Sequence, residues 1–354
     1  MNKLKEFEAK LPKEIDAFLV CSGINRRYFT NFSSTAGALL ITKKKSYLFL
    51  DFRYIEMAQK SVKDVDLVFF SEFYEDFNNF LEEKGIKKLA IETEHTSIKK
   101  YEEYKEKIKN VEFVCDENLD REVLSFRSKK TEEEINKIKL SQEVTDAAFS
   151  HILEFIAQGR TEKEVAFEIE SFILKNAEAN SFSAIVVSGK NSSLPHGRPS
   201  SKKLEKGDLV TMDFGAVLYG YCSDMTRTVC VGTPSSFQKE LYSTVLNAQE
   251  VGLKTIKEGL ICKDVDAKVR EYFKQFNYVE EFGHGLGHGV GLEIHEDPYL
   301  NKVCDIKLEK NMVVTVEPGL YLKDKMGIRI EDMVVVKEDG ILNLTKSSKE
   351  FICV

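Results

Sequence analysis

Two stretches of this chain repeat one another, and the repeat limits the fold more than any other feature. Residues 204–215 read LEKGDLVTMDFG and residues 308–319 read LEKNMVVTVEPG, identical at six of twelve positions. The tenth position is an acid in both, Asp213 in the first and Glu317 in the second. A strand-like segment used twice implies two related halves, each ending an apolar strand in a carboxylate. Each copy is followed by a second acid, Asp224 within SDMTRT and Glu331 within GIRIED. With Leu218 and Tyr219 as a two-residue turn, antiparallel pairing sets Asp213 directly opposite Asp224, about 5 Å apart at Cβ. The separation of Glu317 from Glu331 is even, so the second hairpin needs a longer loop or a bulge.

Apolar neighbours turn all four acids inward. One acid at a strand end is more often solvated or paired with Lys or Arg, but four repeated on two hairpins weaken that reading. Four converging carboxylates repel, and some must bind protons unless a cation lies among them. The stretch 281–298, EFGHGLGHGVGLEIHEDP, supplies His284, His288 and His295 out of only six histidines, with glycine at 283, 285, 287, 289 and 291. Glycine at this density is poor helix and poor strand, so it marks close backbone approach. We read that approach as the backbone passing near bound metal. Four carboxylates with one imidazole form a hard, oxygen-rich set, suited to two divalent ions such as Mn²⁺, Co²⁺ or Fe²⁺ better than to a thiolate-type zinc site. Two such ions activate water and polarise a carbonyl.

Composition excludes several other classes. A net charge of -7, with no long basic run, argues against nucleic acid as a partner. The N-terminus alternates charges and lacks the apolar core of a signal peptide. No stretch approaches the roughly 18 apolar residues of a membrane span. The seven cysteines are scattered and odd in number, without a CxxC pair. They read as reduced, mostly buried residues of a cytoplasmic protein.

Residues 1–124 alternate apolar runs (16–21, 38–42, 47–51, 65–70, 88–92) with amphipathic stretches (54–62, 74–84, 97–109), the pattern of an α/β layer domain. Residues 36–50 read as a hairpin, and His95 as a surface loop residue. The second domain, 125–354, opens at Thr131, where Thr-Glu-Glu-Glu is a capping box before a long helix. Further helices are expected at 162–175 and 236–257, and His151 reads as a satisfied helix histidine. The loop at 186–199 carries His196 between a proline and a glycine.

Taken in order, MDFG, SDMTRT, HGLGHGVGLEIHE, TVEPG and GIRIED resemble the metallopeptidases of the pita-bread fold, and more narrowly their aminopeptidase P and proline dipeptidase branch. The first domain is similar to the creatinase-type N-terminal domain, through Asn25, Tyr28 and the segment 51–54, DFRY. The resemblance implies an α+β architecture, in which a pita-bread catalytic domain with internal pseudo-duplication follows the smaller α/β domain. It implies Asp213, Asp224, His288, Glu317 and Glu331 as ligands of two divalent ions, Mn²⁺ first, with Co²⁺, Zn²⁺ or Fe²⁺ as alternatives. Glu317 would also handle the proton of the attacking water. His196, His284 and His295 would line the substrate cleft and steady the tetrahedral intermediate. Arg329 would stand behind a ligand acid and take part in substrate binding, and Thr226 would support Asp224.

The expected activity is hydrolysis of the bond between an N-terminal residue and a following proline, on proline-containing peptides, by a homodimer. A strict Xaa-Pro dipeptidase is the alternative within the branch. A catalytically silent peptide-binding module is the alternative outside it, although all five ligand positions are filled. Without tryptophan anywhere, an aromatic wall for proline must come from Phe, Tyr or His.

Overall fold

The computed structural model describes residues 3–354. They form two compact units that divide between Arg127 and Ser128, at the end of the helix Glu117–Ser128; position 124 lies inside that helix.

The first unit is built on a six-stranded mixed sheet. Its strands lie in the order Asp66–Phe69, Ser46–Leu50, Ala38–Thr42, Ala17–Val20, Lys88–Ile91, Glu112–Val114. The hairpin expected at 36–50 forms, with Ile41 opposite Ser46. Side chains alternate between two cores: Phe18, Val20, Leu39 and Ile41 enter one, and Ala17, Leu19, Ala38 and Leu40 the other. That period of two, buried on both faces, is what a helix-covered sheet requires. The sequence reading lacked the sixth strand and the helices Lys3–Lys10, Gly23–Thr30 and Glu117–Ser128. Three residues are too few for alternation to register. His95 is exposed, as expected.

The second unit is duplicated in detail. Its first half opens with helix Glu132–Phe155, capped by the Thr131/Glu134 box, and continues with helix Glu162–Asn176, capped by Thr161/Glu164. The second half repeats this with helices Ser236–Thr255 and Cys262–Lys274. Between the helices of each pair the chain turns at a glycine with positive φ, 90° at Gly159 and 92° at Gly259. Gly159 N–H donates to Leu204 O at 2.9 Å, and Gly259 N–H to Leu308 O at 2.8 Å. Leu204 and Leu308 open the two repeated segments, so the internal repeat continues into the hydrogen bonds that join helix to strand. His151 is satisfied by Glu168 at 2.6 Å. The helix Cys262–Lys274 was not anticipated, because Ile261 at its N-cap makes no side-chain cap, although Cys262, Val265, Val269 and Phe273 are buried at helical spacing.

No helix of the described residues is long and apolar enough to cross a membrane. All seven cysteines are free; Cys222, Cys230 and Cys262 are buried, while Cys115 and Cys353 are exposed, so burial is less general than composition implied.

Candidate metal centre

The acids are held at strand ends. Asp213 lies in strand Leu209–Phe214, and Asp224 immediately precedes strand Met225–Cys230. Glu317 follows strand Val313–Val316, and Glu331 precedes strand Asp332–Lys337. His288 is the centre of the short strand Gly287–Gly289.

The first hairpin departs from the expected register. Asp213 pairs with Thr226, and Leu218 with Tyr221. The turn residues are therefore Tyr219 and Gly220, with φ of 52° and 70°, the type I′ geometry that favours glycine second. Asp224 consequently lies diagonal to Asp213 and on the same face, so the two acids still converge. The second hairpin meets the expectation of a longer loop. Gly319 pairs with Arg329 and Leu322 with Met326, leaving Lys323, Asp324 and Lys325 as the connection. The same register carries through the flanking pair, Val316 with Asp332, which brings Glu317 across from Glu331.

Nine of the ten site residues singled out from the sequence line one cavity of about 290 Å³: His196, Asp213, Asp224, His284, His288, His295, Glu317, Arg329 and Glu331, with Thr226 outside the lining. Ligand atoms of Asp224, His288 and Glu331 lie within 4.8 Å of one another. His288 Nε2 stands 3.5 Å from Asp224 Oδ2 and 3.5 Å from Glu317 Oε1. His288 Nδ1 lies 3.0 Å from Gly289 O; a carbonyl can only accept, so Nδ1 carries the proton and Nε2 presents a lone pair to the acids. Burial, and then the neighbouring His295, lower the His288 pKa to about 4 and keep the ring neutral.

Acceptors thus face acceptors. The buried oxygens Asp213 Oδ1, Asp224 Oδ1 and Glu331 Oε1 have no hydrogen-bond partner among the described residues. Burial, followed by mutual repulsion, raises the pKa of Asp224 and Glu331 well above the carboxylate range. Glu317 is pushed up to about 8, chiefly by burial, with Arg329 opposing the shift. A buried set of orphaned carboxylate oxygens and an imidazole lone pair is high in energy alone and is resolved by divalent cations. The donor set fits such ions.

Around the acids, a second set of contacts fixes their orientation. Arg329 donates from NH2 to Asp213 Oδ2 at 2.5 Å and from Nε to Thr226 Oγ1 at 3.0 Å. Thr226 Oγ1 donates to Glu331 Oε2 at 2.7 Å, so its direct hydrogen bond goes to Glu331 and not to Asp224 as expected. His284 Nδ1 donates to Gly285 O at 2.7 Å, so its Nε2 accepts from the Tyr321 hydroxyl at 3.1 Å, and that hydroxyl oxygen in turn accepts from Arg329 Nη1 at 2.8 Å. Both nitrogens of His284 are therefore engaged by protein. His196 and His295 have no such hydrogen bonds among the described residues. Tyr321 was not anticipated, and no local pattern in the sequence marks it; in the structure an added Cβ on Gly319 would lie 2.5 Å from its hydroxyl.

Gly285, Gly287, Gly289 and Gly291 approach other protein atoms closely, whereas Gly283 has nothing within 4 Å of an added Cβ; Gly285 and Gly287 also line the cavity that holds the acids. A Cβ on Gly287 would lie 2.1 Å from Thr315 O, one on Gly289 2.4 Å from Asp297 O, and one on Gly291 2.3 Å from Glu296 Oε1. Their bareness lets the His288 strand sit tightly between its neighbours.

A duplicated α+β unit with converging acids and one imidazole defines a metallopeptidase of the pita-bread class. Residues 136–338 match the model of metallopeptidase family M24, and residues 5–127 that of the creatinase/prolidase N-terminal domain; the chain belongs to family M24. It is 38% identical to an Xaa-Pro dipeptidase of Pyrococcus horikoshii, covering 99% of this chain and 98% of the relative. Among solved structures, an Xaa-Pro dipeptidase from Bacillus anthracis matches with a TM-score of 0.95 at 43% identity, covering 99% of each chain. An X-Pro aminopeptidase from Thermotoga maritima matches with a TM-score of 0.91 at 38% identity, covering 96% of this chain and 98% of that one. The protein is a peptidase.

Proposed function

We propose that the protein is an Xaa-Pro aminopeptidase that uses two divalent ions, Mn²⁺ by preference, held by Asp213, Asp224, His288, Glu317 and Glu331. The orphaned oxygens of Asp213, Asp224 and Glu331, facing the lone pair of His288, support this ligand set. Ions held there would acidify water and polarise the scissile carbonyl. Glu317, at the cluster edge, takes the proton of the attacking water and returns it to the imino nitrogen as the C–N bond breaks. His295 and His196, free of protein hydrogen bonds, are available to the oxygen that gains charge. Arg329 holds Asp213 and Thr226 in place, and His284 holds the Tyr321 hydroxyl.

The observation that carries the aminopeptidase reading is the commitment of Arg329, the guanidinium of the cleft. Its donors go to Asp213, Thr226, Tyr321 and, at 3.1 Å, the Pro195 carbonyl. A dipeptide would bring its carboxylate to a wall whose cation is already taken. A peptide that continues past proline brings a neutral amide, while Phe182, Ile185 and Tyr299 offer apolar surface without tryptophan. Hydrolysis of an Xaa-Pro-Xaa tripeptide should exceed that of the matching Xaa-Pro dipeptide in kcat/KM by about tenfold or more, the scale of one lost charge-assisted contact. A clear preference for the dipeptide would replace this reading with strict dipeptidase action. We also propose a homodimer, tested by light scattering for twice the chain mass of 40.4 kDa, and a cytoplasmic location, in keeping with seven free cysteines.

A further inference from the structure

Lys130 and Glu296 form an ion pair that none of the chemistry above uses. Their side chains are 1% and 3% exposed, and Lys130 Nζ lies 2.6 Å from Glu296 Oε1. Isolating such a pair from water is costly, and replacing both partners with neutral groups is often harmless to stability. Its placement is more specific than stability requires. Lys130 N–H donates to Asn311 O at 3.0 Å, and Lys129 bridges to Met312. The ammonium thus hangs from a backbone segment pinned beside strand Val313–Val316.

Glu296 is the first residue of strand Glu296–Leu300 and pairs with Gly289. Its neighbour His295 packs edge-on against His288, with ring centroids 4.3 Å apart. Within the turn from Val290 to His295, Gly291 N–H donates to Glu293 O at 3.0 Å, and from outside it Val290 N–H donates to Val313 O at 3.2 Å and Cys222 N–H to Gly291 O at 2.8 Å. The Glu296 carboxylate lies flat on Gly291, where an added Cβ would be 2.3 Å from Oε1, 2.8 Å from Cδ and 2.9 Å from Oε2. The carboxylate is therefore fixed by Lys130 on one side and by the bare Gly291 on another.

We infer that the Lys130–Glu296 pair is a positioning device, tying the turn that presents His295 to the cleft onto the strand that leads to Glu317; this rests on the peptidase reading above. Lys130 and Glu296 act through His295 and do not touch the substrate themselves.

The test is a double-mutant cycle on the full-length protein with Lys130→Met, Glu296→Gln and the double variant. Each single variant breaks this buried ion pair and should lower both the melting temperature and kcat, the latter about tenfold or more, with KM changed less. The double variant should regain most of the melting temperature, while kcat stays low. In the zinc-loaded protein, which is diamagnetic, the imidazole resonances of His295 should be displaced in all three variants. Recovery of kcat together with melting temperature in the double variant, or an unmoved His295 signal throughout, overturns the proposal. An inactive wild type whose His295 signal still moves in the variants supports the anchoring and overturns the peptidase reading.

Discussion

His284 is held neutral by its surroundings: burial first, then the charge of Arg329, lower its pKa to about 4. In the unfolded chain it titrates near 6.5. Between those values the unfolded state binds more protons, so this residue's contribution to stability is full above about 6.5 and is lost as pH falls towards 4. Over the whole window the loss is about 3 kcal/mol. Urea unfolding of the wild type and of His284→Asn at several pH values should show a shallower acid dependence in the variant. Glu317 makes a separate prediction. Its replacement by Gln keeps the shape but removes the proton acceptor, so kcat should fall about 100-fold or more, with KM changed much less. Residue identities at the centre were legible because each acid or imidazole belongs to a short local pattern. The His284–Tyr321 contact and the Lys130–Glu296 pair were not legible, because each joins residues far apart in the chain.

In the second unit, helices were legible where their starts carry local chemistry. The helices beginning at Glu132, Glu162 and Ser236 have capping boxes, whereas the uncapped helix at Cys262 escaped notice. In the first hairpin the residue type favoured a turn, but which two residues formed it depended on which could take positive φ. That choice moved Asp224 from opposite Asp213 to diagonal to it. The His288 strand gives the element-scale prediction. An alanine methyl at Gly287 would lie 2.1 Å from the Thr315 carbonyl, where backbone must move, so Gly287→Ala should cost about 2 kcal/mol or more. Gly283 has nothing within 4 Å of an added Cβ, and Gly283→Ala should leave stability within about 0.5 kcal/mol. Thermal or urea unfolding of the two variants checks the contrast. Equal effects would show that strand contact does not set the glycine pattern.

At the scale of the whole molecule, the second unit folds its two halves around a centre that is electrostatically incomplete without cations. Chelation should therefore lower the melting temperature, and Mn²⁺ should raise it in a concentration-dependent way, by mass action on the folded state. Scanning calorimetry with and without chelator measures this. An unchanged melting temperature would mean that the acids are protonated or paired by protein alone.

By itself the sequence determined that this chain has two related halves and that an acid stands at the strand end in each copy of the repeat, while the grouping of five ligands came from the resemblance to the pita-bread metallopeptidases. The first two follow from local identity and spacing, which the backbone period translates directly into faces of strands and helices. Only the tertiary structure decided which acid faces which, which protein atoms the glycines make room for, and how Arg329, Tyr321 and Lys130 are engaged. Those are contacts between segments distant in the chain, set by register and close packing of the folded unit, and no local period encodes them.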